Sequence, residues 1–348
     1  MKTVNVGIIG MGAMGSGVAR KLQPLSGVRL GAFCDVRGEV VRGLGEQYGA
    51  APFTDFKKMP YGDLDAIFIC TTNDWHADCV IAAAEGGTRN IFCEKPLART
   101  LAEARSMVQA VEKRKIRTSM GFGGRRSKPI QYINSLLQSG KLGHLMLAQL
   151  STYRGYGFHG LERVRDAQGR RLHHPAVIRP EMSGGWSVHH ACHAVYWMTC
   201  IGGAVKEVDA RHQRSSPKVP SEELACAMLS FASGATGLLV DCVGSMRSSW
   251  HNITGSRGTV EMASRKRKGA KIEVKVHLEG EDKEFHKSFP HDPNKGGLPE
   301  EFIAAIRHGR PSPVTFREGY ENLRVCLAIC ESARSGRPVA VSRLPGMP

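Results

Sequence analysis

Apolar positions follow two different rhythms along the chain. Over the first 120 residues, short unbroken apolar runs alternate with stretches spaced for a helix. Residues 4–10, 28–34, 66–70, 90–93 and 117–120 read as strands, and 15–22, 76–85 and 101–113 as helices. A continuous apolar run such as 66–70 suits a strand covered on both faces. Strand–helix alternation at this period predicts a parallel, doubly wound sheet.

The rhythm changes after about residue 124. A helix at 129–139 stops at Gly140, and strict in–out alternation then appears at 145–153, 205–213, 226–231, 236–243 and 271–277. Alternation of that kind predicts a largely antiparallel sheet with one solvated face. One helix is expected near 190–200 and two more near 299–307 and 320–335, the last ended by Gly336. The predicted fold is therefore α/β. A doubly wound domain spans 1–122, and a second α/β domain with a large open sheet spans 123–348. The boundary falls where Gly121, Gly123 and Gly124 interrupt the pattern, and the 320–335 helix is expected to pack back toward the first domain. Residues 155–183 lack periodicity and carry Arg163, Arg165, Arg170, Arg171, Arg179, His173 and His174. That stretch reads equally as a cationic lid or arm and as a solvated insertion.

Composition narrows the class. With 41% hydrophobic and 23% charged residues, the chain is neither wholly disordered nor collagen-like. No apolar run approaches the roughly 20 residues of a membrane span, so no membrane partner is expected. The first apolar stretch is too short for a secretory core. Ten cysteines without a C-x-x-C pair suit buried, reduced thiols and a cytoplasmic location. The net charge of +16 favours anionic partners. Its basic clusters, at 113–115, 125–126, 170–171 and 265–268, contain no aromatics. They read as solvated faces rather than a nucleic-acid surface, with a phosphorylated or acidic substrate as the lesser reading.

The first predicted strand runs into Gly10-Met11-Gly12-Ala13-Met14-Gly15, and a helix follows. In that context the glycines permit a tight turn, close backbone approach to a pyrophosphate, and tight helix–strand packing. Asp35 closes the second strand, where a carboxylate accepts from adenosine ribose hydroxyls and repels a 2′-phosphate. NAD is thus favoured, while Arg37 nearby keeps NADP possible. The third strand ends in Thr71, Thr72 and Asn73 with His76 beyond, and the next in Glu94-Lys95-Pro96. Both ends lie at the carboxyl edge, where such sheets bind ligands.

Taken together, these motifs resemble the Gfo/Idh/MocA oxidoreductases, the glucose-fructose oxidoreductase and inositol dehydrogenase group. The likeness continues through Gly121-Phe122 with Arg126, Ser139 to Gly143, Gly184-Gly185 ahead of His193, Ile253 to Thr259, and Ser332 to Gly336. The resemblance implies a Rossmann domain, a second domain with a large open sheet, a bound nicotinamide dinucleotide, and homodimers or homotetramers built on that sheet. It also implies a lysine from Glu-Lys-Pro, with an aspartate and a histidine four residues apart on one helix, around the reacting carbinol. Lysine and histidine carry over as Lys95 and His193. The aspartate position is His189, and this is the main departure. Helical spacing would point His189 and His193 from one face.

Removing a hydroxyl proton as hydride leaves requires a base with a pKa near neutrality, which imidazole has. His193 is expected as the main acid–base group, Lys95 as its assistant at the same oxygen, and His189 as an orienting or relaying group. The nicotinamide ring is expected between Lys95 and His193. Arg126 and Trp186 complete the expected substrate contacts, although core packing is at least as good an account of Trp186 and of Tyr196. His189, His190, Cys192 and His193 are metal-ligand types, but 190 and 192 diverge from the 189/193 face, and no metal is expected. The leading function is NAD(P)-dependent oxidation or reduction at a secondary hydroxyl or carbonyl of a sugar, cyclitol or glycoside. One alternative is NAD-dependent glycoside cleavage through transient oxidation, elimination and re-reduction. Another is a non-enzymatic NAD sensor.

Overall fold

The computed structural model describes residues 3–155, 179–243, 247–264, 271–290 and 297–347. Most of the unperiodic 155–183 stretch and the basic run at 265–268 lie outside the described residues. The chain divides into two units. One comprises Met1–Phe122, Asn294–Leu323 and Met347–Pro348, the other Gly123–Pro293 and Arg324–Gly346.

The first unit holds β1 (Val4–Ile9), α1 (Ala13–Leu22), β2 (Val28–Cys34), α2 (Gly38–Tyr48), β3 (Ala51–Phe53), β4 (Ala66–Ile69), α3 (His76–Glu85), β5 (Asn90–Cys93), α4 (Leu101–Lys113) and β6 (Arg117–Met120). Its six strands are all parallel, in the order β3-β2-β1-β4-β5-β6. The central strands β4 and β5 are buried at every position, as their apolar runs require. Chain order runs outward from β1 in both directions, so the switch point lies between β1 and β4. Two elements escaped the periodicity reading. Helix α2 carries Gly38, Gly43 and Gly45, which weaken any helical signal. It forms because Val41 is buried and Gly49 closes it in the left-handed conformation. The three-residue β3 is too short to show a period.

In the second unit, α5 (Lys128–Gln138) precedes β7 (Leu145–Arg154). The short helices α6 (Pro180–Ser183) and α7 (Trp186–His189) lead into α8 (Cys192–Gly202). Strands β8 (Val205–Gln213), β9 (Leu224–Phe231), β10 (Thr236–Cys242), β11 (Arg247–Gly255), β12 (Gly258–Ser264), β13 (Lys271–Leu278) and β14 (Phe285–Pro290) follow. With β15 (Val339–Ala340) they form a nine-stranded sheet, β14-β13-β12-β11-β7-β10-β9-β8-β15. Only the β7–β10 pair is parallel. Alternation sorts its faces. Ala225, Ala227, Leu229 and Phe231 of β9 are buried, whereas Cys226, Met228 and Ser230 are exposed. The buried face packs under α8, where Gly202 and Gly237 leave room for the Phe231 ring and for Met198.

Helices α9 (Leu298–His308) and α10 (Phe316–Ser335) come last. Helix α9 and the start of α10, to Leu323, belong to the first unit, and the rest of α10 belongs to the second. The anchor of α9 is Phe302. Its ring meets Phe68 edge-on at 5.9 Å and Phe92 at 6.1 Å, and those two stack at 5.1 Å. All three rings are fully buried. Truncating such a ring removes its transfer energy and leaves a cavity. Phe302→Ala is therefore expected to destabilise the protein by about 3–5 kcal/mol, read as a lowered urea midpoint.

Candidate active site

In a parallel sheet every strand end of one kind lies on one edge. The carboxyl edge of the first unit thus gathers Gly10 after β1, Asp35 after β2, Thr71 to Asn73 after β4, Glu94 to Pro96 after β5, and Gly121 after β6. Backbone crowds this edge. Gly10 has φ +89°, and a Cβ there would lie 2.7 Å from the Cys70 carbonyl and the Thr71 nitrogen. A Cβ on Gly15 would overlap the Gly10 carbonyl oxygen. Gly12, the N-cap of α1, behaves differently, because a Cβ there meets nothing within 4 Å. Two glycines serve close packing, and the middle one leaves an open approach to the start of a helix. Met11 is buried and Met14 is exposed.

Asp35 is 8% exposed. One carboxylate oxygen accepts from the Met11 N–H at 2.8 Å and from Arg37 Nη2 at 2.9 Å. The other accepts from the Arg37 N–H at 3.0 Å and Arg37 Nε at 2.9 Å. Burial pushes the carboxyl pKa up, but the Arg37 side chain and the Arg37 and Met11 N–H groups outweigh it and hold it below the ordinary aspartate value. Four donors fill the roughly four lone-pair sites of a carboxylate. A ribose hydroxyl at Asp35 would compete with the Arg37 guanidinium, whose side chain is 53% exposed.

Glu94 lies beneath the same edge. Burial raises its pKa, opposed by Lys95 and Lys21. Its backbone N–H is bound to the Ile69 carbonyl, and its carboxylate accepts weakly from the Lys95 N–H at 3.3 Å. A Cβ on Gly121 would overlap this carboxylate. Lys95 follows half-buried, ahead of a cis peptide bond to Pro96. His76, expected among the cofactor contacts, occupies a different place. It is fully buried, with Nδ1 2.9 Å from the Pro96 carbonyl and Nε2 3.3 Å from that of Thr71. Burial lowers its pKa despite those carbonyls. A neutral imidazole has one N–H to donate, and through the Pro96 contact the residue ties the segment after β4 to the one after β5. Asn73 is also buried, and Thr71 and Thr72 are half-buried.

In the second unit, the single helix expected to carry both histidines is broken. His189 is the last residue of α7, and His193 lies in the first turn of α8. Across the break the Ala191 N–H bonds the Trp186 carbonyl and the His193 N–H bonds that of His190, so no regular i→i−4 ladder joins them. The His190 ring stands 6.5 Å from His189 and 5.6 Å from His193, and stacks on Trp186 at 4.5 Å. Trp186, expected against substrate, is 1% exposed and donates Nε1–H to Asp241 at 2.7 Å. Asp241 also accepts from Arg154 at 2.8 Å. Trp186 is thus an anchor for α7. Gly124 fits against Tyr196 of α8, which places the turn carrying half-buried Arg126 on the helix that carries His193.

The comparisons with known proteins agree with this frame. Residues 4–122 match the model of an oxidoreductase family with an NAD-binding Rossmann fold. Residues 135–341 match that family's C-terminal α/β domain. The chain belongs to the Gfo/Idh/MocA oxidoreductase family. Its first unit is an NAD-binding Rossmann domain.

Among relatives, inositol 2-dehydrogenase of Salmonella typhimurium is 30% identical over 150 residues, 42% of this chain and 44% of that protein. The chain thus matches less than half the length of that relative. An uncharacterised oxidoreductase of Bacillus subtilis, YrbE, is 25% identical across 98% of this chain and 97% of its own. An Agrobacterium radiobacter oxidoreductase solved with NAD+, L-tartaric acid and magnesium shares the fold. Its TM-score is 0.81 at 22% identity, covering 99% of this chain and all of that one. Among the described residues, no helix is long and apolar enough to cross a membrane.

Arg37 pairs with both carboxylate oxygens of Asp35, the group that would receive an adenosine ribose. Arg37→Ala is expected to leave NADH binding intact or tighter and to weaken NADPH. The preference for NADH should rise about tenfold, the value of one charge-assisted hydrogen bond, in fluorescence titrations of both nucleotides.

Proposed function

We propose that the protein is an NAD-dependent dehydrogenase or reductase acting on a secondary hydroxyl or carbonyl of a sugar or cyclitol. The observation that carries this reading is the carboxyl edge of the first sheet, where an open helix start, the Asp35 carboxylate and Lys95 follow β1, β2 and β5 of one parallel sheet. Inositol and levoglucosan dehydrogenases among the 30%-identical relatives support the substrate class. When bound, the nicotinamide supplies the hydride acceptor or donor.

The chain's own residues do the rest. The α1 start receives the pyrophosphate with its N–H groups and positive dipole end. Asp35 receives the ribose hydroxyls in place of Arg37. His193 takes the hydroxyl proton as general base and returns it in the reverse direction. Lys95 lends positive charge to the developing oxyanion. His189, at a separate helix end, orients the substrate.

The test is steady-state oxidation of a polyol panel that includes myo-inositol. His193→Ala and Lys95→Ala are each expected to cut turnover by about 100-fold or more, with NADH affinity within a few-fold of wild type. Near-normal turnover in both variants would overturn the assignment.

We further propose that the open face of the nine-stranded sheet is covered by a second copy of the chain. Met228 is 49% exposed, Trp250 43% and Tyr153 38%, on the face opposite α8. Exposed apolar side chains grouped in this way mark an interaction surface. Met228→Asp together with Trp250→Asp is expected to shift the mass by light scattering from dimer or tetramer to monomer.

A further inference from the structure

Four separate elements of the second unit converge on one polar cluster that the proposed chemistry does not use. His212 comes from the end of β8, Glu222 from just before β9, Cys330 from α10 and Ser187 from α7. One donor atom from each of His212, Glu222 and Cys330 lies within 4.8 Å of the other two. The Ser187 hydroxyl stands among them, 2.9 Å from His212 Nε2 and in hydrogen-bond contact with Cys330. Glu222 is held in place from behind. One of its oxygens accepts from the Ser187 N–H at 2.7 Å, the other from the Ser221 hydroxyl at 2.5 Å.

We propose that His212, Glu222 and Cys330 form a structural zinc site, with the Ser187 hydroxyl oxygen as the fourth donor. The donor set is the argument. A neutral imidazole, a carboxylate and a thiolate together carry two negative charges, which one divalent ion neutralises. Nitrogen, oxygen and sulfur in one tetrahedral shell suit zinc and do not suit calcium or magnesium. A thiol is a weak hydrogen-bonding group, so a purely hydrogen-bonded hub gains little from Cys330. A metal gains a soft ligand from it.

Burial lowers the His212 pKa, opposed by the nearby Glu222 carboxylate. Burial raises the Glu222 pKa, but bonds from Ser221 and Ser187 and the nearby His212 outweigh it and hold it below the ordinary glutamate value. Without an ion, burial pushes the Cys330 thiol up to about 12. Zinc binding breaks the Cys330 S–H bond, forms a sulfur–zinc bond and releases the proton to solvent. The bonds from Ser187 and Ser221 to the carboxylate are the outer contacts that orient a ligand.

The test uses the full-length protein stripped with chelator and titrated with cobalt(II), then zinc. The expected result is about one cobalt per chain, a thiolate-to-cobalt charge-transfer band, and its loss as zinc displaces cobalt. Cys330→Ser should abolish the band, and His212→Ala should weaken binding at least about tenfold. Zinc-edge X-ray absorption on the wild type should show a single sulfur neighbour, a readout independent of whether the variants fold. An absent band in the wild type, a band unchanged in Cys330→Ser, or a zinc shell without sulfur would each overturn the proposal. The first of these would leave a hydrogen-bonded cluster only. The inference does not depend on the redox reading, since none of these measurements involves turnover.

Discussion

At the carboxyl edge of the first sheet, backbones approach too closely to admit side chains. The β1 turn presses Gly10 onto the Cys70–Thr71 peptide, α1 presses Gly15 onto the Gly10 carbonyl, and the β6 end presses Gly121 onto the Glu94 carboxylate. Everything else on that edge takes its place from this crowding. With α1 drawn in against β1, the Met11 N–H reaches the end of β2 and finds Asp35. His76 ties the segment after β4 to Pro96 after β5, and Lys95 lies one strand from the switch point. The open space above Gly12 is the complement of the closed space beneath Gly10 and Gly15.

This architecture was legible wherever burial imposes a rhythm. Strand β4 is apolar throughout, and β5 apolar after Asn90, because both faces are covered, and β9 alternates because only one is. The glycine fingerprint was legible because it is local, with its physical meaning contained in six consecutive residues. What escaped notice depends on distant partners. Helix α2 is written in glycines, and its existence rests on Val41 finding the core. The capping box of α4, Thr100 with Glu103, did stand in the sequence as a Thr-x-x-Glu signal and would have marked the start of that helix. His76 follows a strand end where small polar groups and histidines commonly meet ligands, and the structure adds its burial against two carbonyls. Its two carbonyl partners, 20 and 5 residues away, could be seen only in three dimensions.

The break between His189 and His193 shows the same limit at the chemical end. Four-residue spacing implies one face only if the helix is continuous. Here the Trp186 indole is drawn to Asp241, 55 residues on, and the Ser187 N–H to Glu222, 35 residues on. Those buried bonds hold α7 down on the sheet. Meanwhile α8 is set by different contacts, Gly202 against Phe231 and Tyr196 against Gly124. A helix obeying both sets of anchors must break, and His190 fills the gap by stacking on Trp186.

The consequence is that the two imidazoles are positioned independently. His189 reports on the polar anchors under α7, and His193 on the apolar packing under α8. A carboxylate four residues before a histidine on an unbroken helix would be tied to it rigidly and would bias its charge. His189 stands where such a carboxylate would be, on a turn anchored through Trp186 to Asp241 and through Ser187 to Glu222. The break follows from two sets of anchors, Trp186 to Asp241 and Ser187 to Glu222 under α7, and Gly202 against Phe231 with Gly124 against Tyr196 at α8.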